Sequence, residues 1–487
     1  MRMTMTILAM LLLASLVAFG GSLLEEAQQQ VERINAQALP WTAVIPDATE
    51  YFESLGFSNW NDVSLALNQY RELPEAQIQN LYLAHQGARS TYTEDLLIGA
   101  SVLWFYDPAR DDTVFPQDFI QVHSPVRDQR MHGTCWAFAT IGSLESAKLV
   151  QEDGLQGVED FHAAAGSRHP VQAQNDTYDF SEQFAAHHNI DWDMYLTWWY
   201  LLHPNNESVL QDSNYDAGGN SVFAMYNLTR YGYPLEADFP YVEFDRGPYI
   251  KWNPQNDDWA DRVEKTTKTI EILQAYYSKL EGISYENYIK SIKSLLMNYG
   301  ALAVSYLVPY TFNFYGGGVF IPDPYDFYSG GHAVTLVGWV SGQTLQELEI
   351  LDDASLTYID PFSSAEDNEY TADLFWIIKN SWNTSFGMDG YYIVPAISEK
   401  QWDQEAFSAW MIEGRGSMRV PLLNETVDTE LADFNDDTVV DILDYQLLVA
   451  AIDGGTYDIL YDISNPADGL LNAQDLAVFM YLWNVAN

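Results

Sequence analysis

The stretch QRMHGTCWAF, residues 129–138, contains the only cysteine of the 487-residue chain. A lone thiol cannot form an intrachain disulfide, so Cys135 is either a buried small hydrophobic residue or a reactive group. The apolar residues that follow it predict the start of a helix, and a helix macrodipole stabilises a thiolate at its N-terminus. Gln129 has a side-chain N–H that can donate to an oxyanion formed when a thiolate attacks a carbonyl. The stretch therefore favours a nucleophilic cysteine.

Five blocks of the sequence follow the chain order of one enzyme family. The segment Ser124–Phe138 resembles the active-site segment of papain-like cysteine proteases, and Ser181–Gln183 resembles the Ser-Glu-Gln signature of that family. The pair Gly218-Gly219 is similar to its substrate-binding glycines, which let a substrate backbone approach closely and pair as a strand. The blocks Gly331–Val334 and Lys379–Trp382 resemble the histidine and asparagine blocks. One block alone is a weak signal, whereas five in order are a strong one.

The resemblance implies a role for each residue of the site. Cys135 attacks a peptide carbonyl as its thiolate, His332 takes and returns the proton, and Asn380 orients the imidazole. Gln129 and the backbone N–H of Cys135 receive the oxyanion. Trp382 covers the His332–Asn380 hydrogen bond from water, and the family uses no cofactor for catalysis.

The resemblance also implies an α+β fold with a papain-like division into a helical lobe and a β-rich lobe. Helical apolar spacing from Cys135 to about Val150 agrees with this division. Strand-like apolar runs agree as well, and they occur at residues 301–307, 333–339 and 374–378. We therefore expect a protease domain over residues 114–420. An acidic insertion at 340–372 predicts a long hairpin or a lid.

The N-terminal part of the chain predicts export and a precursor segment. Residues 1–22 have a charged start, a short apolar run and small residues, as in a signal peptide, with a retained anchor as the alternative. We therefore expect no membrane span in the mature protein and a secreted or cell-surface location. Residues 23–113 are interpreted as a propeptide-like segment, because Ile34–Ala43 resembles the tail of papain-family propeptides. The alternative is an N-terminal domain that stays attached.

The charge of the chain limits its partners. The chain has 22 basic and 69 acidic residues and a net charge of −47. Such an excess of acid argues against binding to nucleic acid and to anionic membrane surfaces. It suits solubility, high salt or divalent cations instead.

Residues 421–487 contain no lysine or arginine and two similar acidic units. In each unit, several side chains that carry oxygen atoms stand close together on a loop before a helix. Calcium is a hard cation and requires several carboxylates on one loop of this kind. The duplication resembles a dockerin, an all-α module with EF-hand-like loops that docks onto cohesin domains. Thr438 replaces a usual glycine, and the second loop is longer than the first. The expected ligands are Asp433, Asn435, Asp437, Asp441 and Asp444 in the first loop, and Asp462, Ser464, Asp468, Asn472 and Asp475 in the second.

Together these features predict a secreted cysteine endopeptidase that is made as a zymogen and acts on peptide or protein substrates. Its calcium-binding module would attach it to a scaffold or a cell surface through a cohesin-type partner. One alternative is a catalytically idle papain-like fold that serves as a calcium-dependent interaction protein. Another is transpeptidation, because the acyl-enzyme step is the same and only the acceptor differs.

Overall fold

The structure is a computed structural model that describes most of the chain between residues 114 and 423 and shorter parts outside it. The described residues are 23–45, 103–105, 114–130, 132–159, 173–187, 218–230, 232–241, 254–256, 259–266, 268–280, 282–423, 434 and 442–454. The predicted signal peptide, residues 1–22, lies outside them. Among the described residues, no helix combines the length and the apolar character that crossing a membrane requires.

The described parts of the chain contain ten α-helices and twelve strands, which are interleaved along the sequence. The helices are α1 (Leu23–Asn35), α2 (Cys135–Gln151), α3 (Glu182–His187), α4 (Ser221–Arg230), α5 (Ala275–Leu280), α6 (Tyr285–Tyr299), α7 (Gly342–Glu347), α8 (Glu399–Gln404), α9 (Ile412–Arg415) and α10 (Ile442–Gly454). The strands are β1 (Trp41–Ala43), β2 (Leu103–Phe105), β3 (Phe119–Ile120), β4 (Lys268–Ile272), β5 (Leu302–Pro309), β6 (Tyr315–Gly318), β7 (Tyr328–Ser341), β8 (Leu356–Ile359), β9 (Glu369–Ala372), β10 (Leu374–Lys379), β11 (Tyr391–Pro395) and β12 (Met418–Leu422).

Helix α2 is the centre of the fold. Its residues are buried without a break from Trp136 to Val150, because the sequence is small or apolar on nearly every side. The helix contacts α3 and α4 on one side and strands β5, β7 and β12 on the other. The predicted helix after Cys135 is therefore found, and it lies between a helical part and a sheet.

The main sheet is mixed and has eight described strands. Its order is β11-β10-β7-β5-β12-β4-β2, with β3 paired to β7. Neighbouring strands are antiparallel except β2 and β4, which are parallel. The three predicted strand runs correspond to β5, β7 and β10. Strand β12 crosses residue 420, the expected end of the protease domain, and β2 comes from the expected propeptide-like segment, so the sheet contains residues from both sides of those boundaries.

Two parts of the fold matter for the site. Strand β7 begins at the site and is buried from Ala333 to Val340, as expected of a strand covered on both faces. The insertion at 340–372 folds as α7 followed by the antiparallel hairpin β8–β9, so the expected hairpin is present with a helix before it.

We predict that Gly338→Ala destabilises the protein. A Cβ atom at Gly338 in β7 would lie 2.3 Å from the backbone oxygen of Phe119 in β3. Relief of this clash requires the two strands to separate, and overpacking of this kind costs about 1–3 kcal/mol. Urea unfolding measures the loss. Gly330→Ala is the matched control, because a Cβ there meets nothing within 4 Å. Equal stability of the two variants would contradict the strand pairing.

Candidate active site

Cys135 is the first residue of α2 and is partly buried. The preceding residue, Thr134, does not cap the helix with its side chain, and its hydroxyl lies 2.8 Å from that of Tyr241. The first turn has no acidic residue. The partial positive charge of the helix N-terminus therefore acts on the thiol without an opposing carboxylate in that turn, which favours the thiolate.

His332 lies near the start of β7, paired with Tyr306 of β5. Its Nε2 lies 2.8 Å from Oδ1 of Asn380, the residue that follows β10. The backbone N–H of Ser381 donates to the same Oδ1 at 2.9 Å, which identifies that atom as the acceptor. Nε2 of His332 is therefore the donor, and Nδ1 of the neutral ring is left to accept a proton.

The imidazole is shielded from water. The indole of Trp382 stacks on it with the ring centroids 4.7 Å apart and the planes 28° from parallel. Burial lowers the pKa of His332 to about 4, against the opposing effect of the hydrogen bond to Asn380. The ring is therefore neutral at any pH well above 4, which is the form that can accept a thiol proton.

Tyr306 lies beside the imidazole and within the electrostatic influence of Cys135. Its ring centroid lies 5.9 Å from that of His332. Burial is the larger cause that raises the pKa of Tyr306, and the charge of Cys135 raises it further. Helix α2 contacts β7 directly, and Phe138 and Ala139 line the same small cavity as Val334 and Asn380.

Gln129 joins the cysteine segment to the asparagine block. Its backbone N–H donates to the carbonyl of Ser381 at 2.8 Å. Its side-chain Oε1 accepts from the Ser381 hydroxyl at 2.6 Å, and its Nε2 donates to the carbonyl of His132 at 2.7 Å. A carboxamide nitrogen has two hydrogens, so one N–H of this fixed side chain is left to donate to an oxyanion.

The glycine pair lies against the residue after the cysteine. A Cβ atom at Gly219 would lie 2.4 Å from the indole of Trp136, whereas one at Gly218 would meet nothing within 4 Å. Gly218 has a φ of +87°, a conformation that favours glycine. The structure therefore places Gly219 against Trp136, the residue that follows Cys135 in α2.

Sequence reasoning did not predict the buried charges behind Asn380, although Glu182 and Lys379 belong to the recognised motifs. Lys379 donates to the hydroxyl of Ser124 at 2.8 Å, and burial lowers the pKa of its ammonium to about 8 against the charge of Glu145. Burial raises the pKa of Glu145 to about 7. Glu182 lines the same small cavity behind Asn380. A glutamate within the apolar helix α2 was the available signal.

The expected calcium ligands are mostly outside the described residues. Of the ten, only Asp444 is described, and it lies buried in the first turn of α10. Its Oδ1 accepts the backbone N–H of Phe434 at 2.8 Å, which connects the two ends of the first expected loop. Within the ranges that the structure covers, no group of three or more His, Cys, Asp or Glu side chains could hold a metal ion.

The structure thus has a cysteine at the start of a helix and a buried histidine that is hydrogen-bonded to an asparagine. Comparison with known proteins shows that residues 210–408 match the model of the papain family cysteine protease, so this part of the chain is similar to that family. The match begins after Cys135 and does not include that residue.

Relatives are distant and are covered only in part. Cathepsin B-like cysteine proteinase 6 of Caenorhabditis elegans is 22% identical over 55% of this chain and 56% of its own length. Cathepsin B-like CP2 of Giardia intestinalis is 29% identical over 27% of this chain and 35% of its own length. The chain thus spans about half or less of the length of these two relatives. The proform of the ragweed pollen protease Amb a 11 matches 82% of this chain and 87% of its own with 16% identity and a TM-score of 0.45.

We predict that Trp382→Ala raises the pKa of His332 from about 4 toward the ordinary value of 6.5. Loss of the stacked indole lets water reach the ring, and water stabilises the imidazolium. An NMR titration of the ring measures the pKa. Trp382→Phe is the control, because it keeps an aromatic ring over the imidazole. A pKa near 4 in both variants would show that the indole does not cause the shift.

Proposed function

We propose that the protein is a secreted cysteine endopeptidase that is made as a zymogen and held at a scaffold or cell surface by a calcium-binding module. The observation that supports the catalytic role most directly is the 2.8 Å hydrogen bond from His332 to Asn380, which leaves Nδ1 for the thiol. The helix start at Cys135 supports the same role.

In the proposed reaction, Nδ1 of His332 takes the thiol proton of Cys135, and the thiolate sulfur attacks the carbonyl carbon of a peptide bond. The carbonyl oxygen becomes an oxyanion, to which Gln129 and the Cys135 backbone N–H donate. His332 then protonates the leaving amine, and the C–N bond breaks to give a thioester. Water, deprotonated by His332, hydrolyses the thioester and regenerates the thiol.

The zymogen proposal depends on contacts of the N-terminal segment. Strand β1 pairs with β6, and the indole N–H of Trp41 donates to the carbonyl of Ile321 at 2.9 Å. Arg33 of α1 donates to Asp323 at 2.7 Å, and the Asp323 side chain is fully buried. The segment is therefore docked on the β-rich side, and this contact supports its proposed role as a propeptide that must be removed before the enzyme is active.

The secreted location depends on the signal-peptide pattern of residues 1–22. The calcium module depends on the repeat in residues 421–487 and on the contact between Asp444 and Phe434. A cohesin-type protein is the proposed partner, because dockerins, which residues 421–487 resemble, dock onto cohesin domains. Peptide or protein substrates follow from the proposed reaction.

We expect the full chain to be nearly inactive on a peptide library and to gain activity after limited proteolysis. The Cys135→Ala variant should stay inactive in both states, because it lacks the nucleophile. Trp41→Ala should raise the activity of the uncut chain by roughly tenfold or more, since truncating a buried aromatic residue costs about 3–5 kcal/mol of docking energy.

The control for the docking variant is Thr42→Ala, because Thr42 lies on the same strand with its side chain exposed. Equal activity of the wild type, Trp41→Ala and the cut enzyme would refute the zymogen proposal alone. Inactivity of every form, with calcium-dependent folding of residues 421–487 intact, would instead favour a calcium-dependent interaction protein.

We predict that Asp444→Asn weakens calcium binding by at least roughly tenfold, since a ligating carboxylate loses its charge. The asparagine oxygen can still accept the N–H of Phe434, so the loop contact is kept. Isothermal titration of the full chain, stripped of metal with EDTA, measures the affinity. Asp453→Asn in the same helix is the control, because Asp453 is not an expected ligand. Unchanged affinity in both variants would remove Asp444 from the proposed site.

A further inference from the structure

The main sheet includes a strand from the segment that the sequence assigned to the propeptide. Strand β2 pairs in parallel with β4, so that Leu103 lies opposite Thr269 and Phe105 lies opposite Glu271. Strand β1, from the same expected segment, belongs instead to a separate two-stranded sheet with β6. The two strands of the N-terminal segment therefore belong to different sheets, and the chain passes from one sheet to the other between them.

Strand β2 gives β4 a partner on its second side. On its first side β4 pairs with β12, in register from Lys268 with Leu422 to Ile272 with Met418. Among the described strands, β2 is the last one at this end of the sheet. Without β2, the outer edge of β4 would present unpaired N–H and C=O groups. Removal of β2 would therefore change the sheet itself and not only a covering segment.

The side chains of β4 are buried as in an interior strand. The guanidinium of Arg419 in β12 donates to the carboxylate of Glu271, its cross-strand partner in β4. The two side chains are 6% and 2% exposed. Thr269, Ile270 and Ile272 are buried as well, so both faces of β4 are covered. Such burial agrees with a strand that keeps a partner on each side.

The chain after β2 is long enough to keep this strand joined to the rest of the sheet. Phe119, the first residue of β3, lies 14 positions after Phe105, and β3 pairs with β7. An extended chain of that length spans about 46 Å. Strands β2 and β7 are four strand spacings apart in the sheet, or roughly 19 Å. Strand β2 can therefore stay paired with β4 while the chain runs on to β3.

We propose that β2 is a permanent strand of the main sheet and that the cut that matures the enzyme falls on the N-terminal side of Leu103. This place for β2 rests on the proposed zymogen function and deepens it. The cut is the hydrolysis of one peptide bond, in which water yields a new carboxylate and a new amino terminus. Helix α1 and strand β1 belong to the part that is removed, whereas residues 103–113 stay with the enzyme.

The first test is the amino terminus of the active enzyme. The wild-type chain is incubated until its activity on a peptide library is constant, and the product is analysed by amino-terminal sequencing and intact mass. We expect a mature chain that begins at or before Leu103. A mature chain that begins after Leu103 would overturn the proposal, because β2 would then be lost or broken.

The second test needs no peptidase activity, because trypsin makes the cut in a folded full-length chain that carries Cys135→Ala. Arg71 and Arg89 are trypsin sites before β2, whereas Arg110 is the one such site between β2 and β3. Arg110→Gln therefore keeps β2 joined to β3 during limited digestion. Amide hydrogen exchange at residues 269–271 of the cut chain then measures whether β4 keeps its outer partner.

Two variants of the cut chain isolate the backbone pairing. One carries Leu103→Pro with Trp104→Pro, and the matched control carries Leu103→Ala with Trp104→Ala. Successive N–H groups of a strand point to opposite sides, so two adjacent prolines remove one that faces β4. We expect exchange at residues 269–271 to be at least about tenfold faster with the prolines than with the alanines. Equal exchange in the two variants would overturn the proposal.

The two proposals fail in different ways. A wild-type chain that is never cut, or that is as active before the cut as after it, refutes the zymogen function. The exchange measurement on the trypsin-cut chain then decides the place of β2, and faster exchange with the prolines supports it. An active wild-type enzyme that begins after Leu103 refutes the place of β2 and leaves the zymogen function standing.

Discussion

Helix α2 has no exposed face along most of its length, and this constraint shapes the surrounding structure. Charged side chains on such a helix must be neutralised inside the protein. Lys148 meets Glu152 and Glu264, each at 2.6 Å. Glu145 accepts the backbone N–H of Phe180 at 2.9 Å and faces the ammonium of Lys379. Lys379 directly precedes Asn380, so the positive charge that stabilises the carboxylate of Glu145 belongs to the strand that leads into the His332–Asn380 hydrogen bond.

On the β-rich side, packed aromatic rings connect distant parts of the fold. Aromatic rings form a continuous series from Trp41 through Tyr315, Phe386 and Trp382 to His332, with centroid separations between 4.7 and 6.1 Å. The N-terminal segment therefore packs on the same cluster that covers the imidazole. A rearrangement at one end of this series changes the packing around the other, because close-packed interiors transmit displacement.

Sequence predicted the parts of the fold that local pattern or motif specifies. The apolar run after Cys135 indicated α2, and the strand runs indicated β5, β7 and β10. The contact of Phe362 with Tyr328 joins segments that are adjacent only after the β8–β9 hairpin folds back, and no local pattern encodes it. The same holds for Gly219 against Trp136, although Gly218-Gly219 was recognised by its motif. Glu145 was readable as an anomaly in an apolar helix, but its partner Lys379 lies more than 200 residues away.

Cys135 is the only cysteine of the chain, so the tie between the helical and β-rich sides is made of hydrogen bonds, ion pairs and packed rings. The hydrogen bonds of Gln129 with Ser381 and of Lys379 with Ser124 are examples. Reducing agents therefore keep the thiol of Cys135 reduced without breaking any disulfide of this chain. Folding of the chain needs no thiol oxidation step, and Cys135 is the one thiol that responds to the redox state of the surroundings.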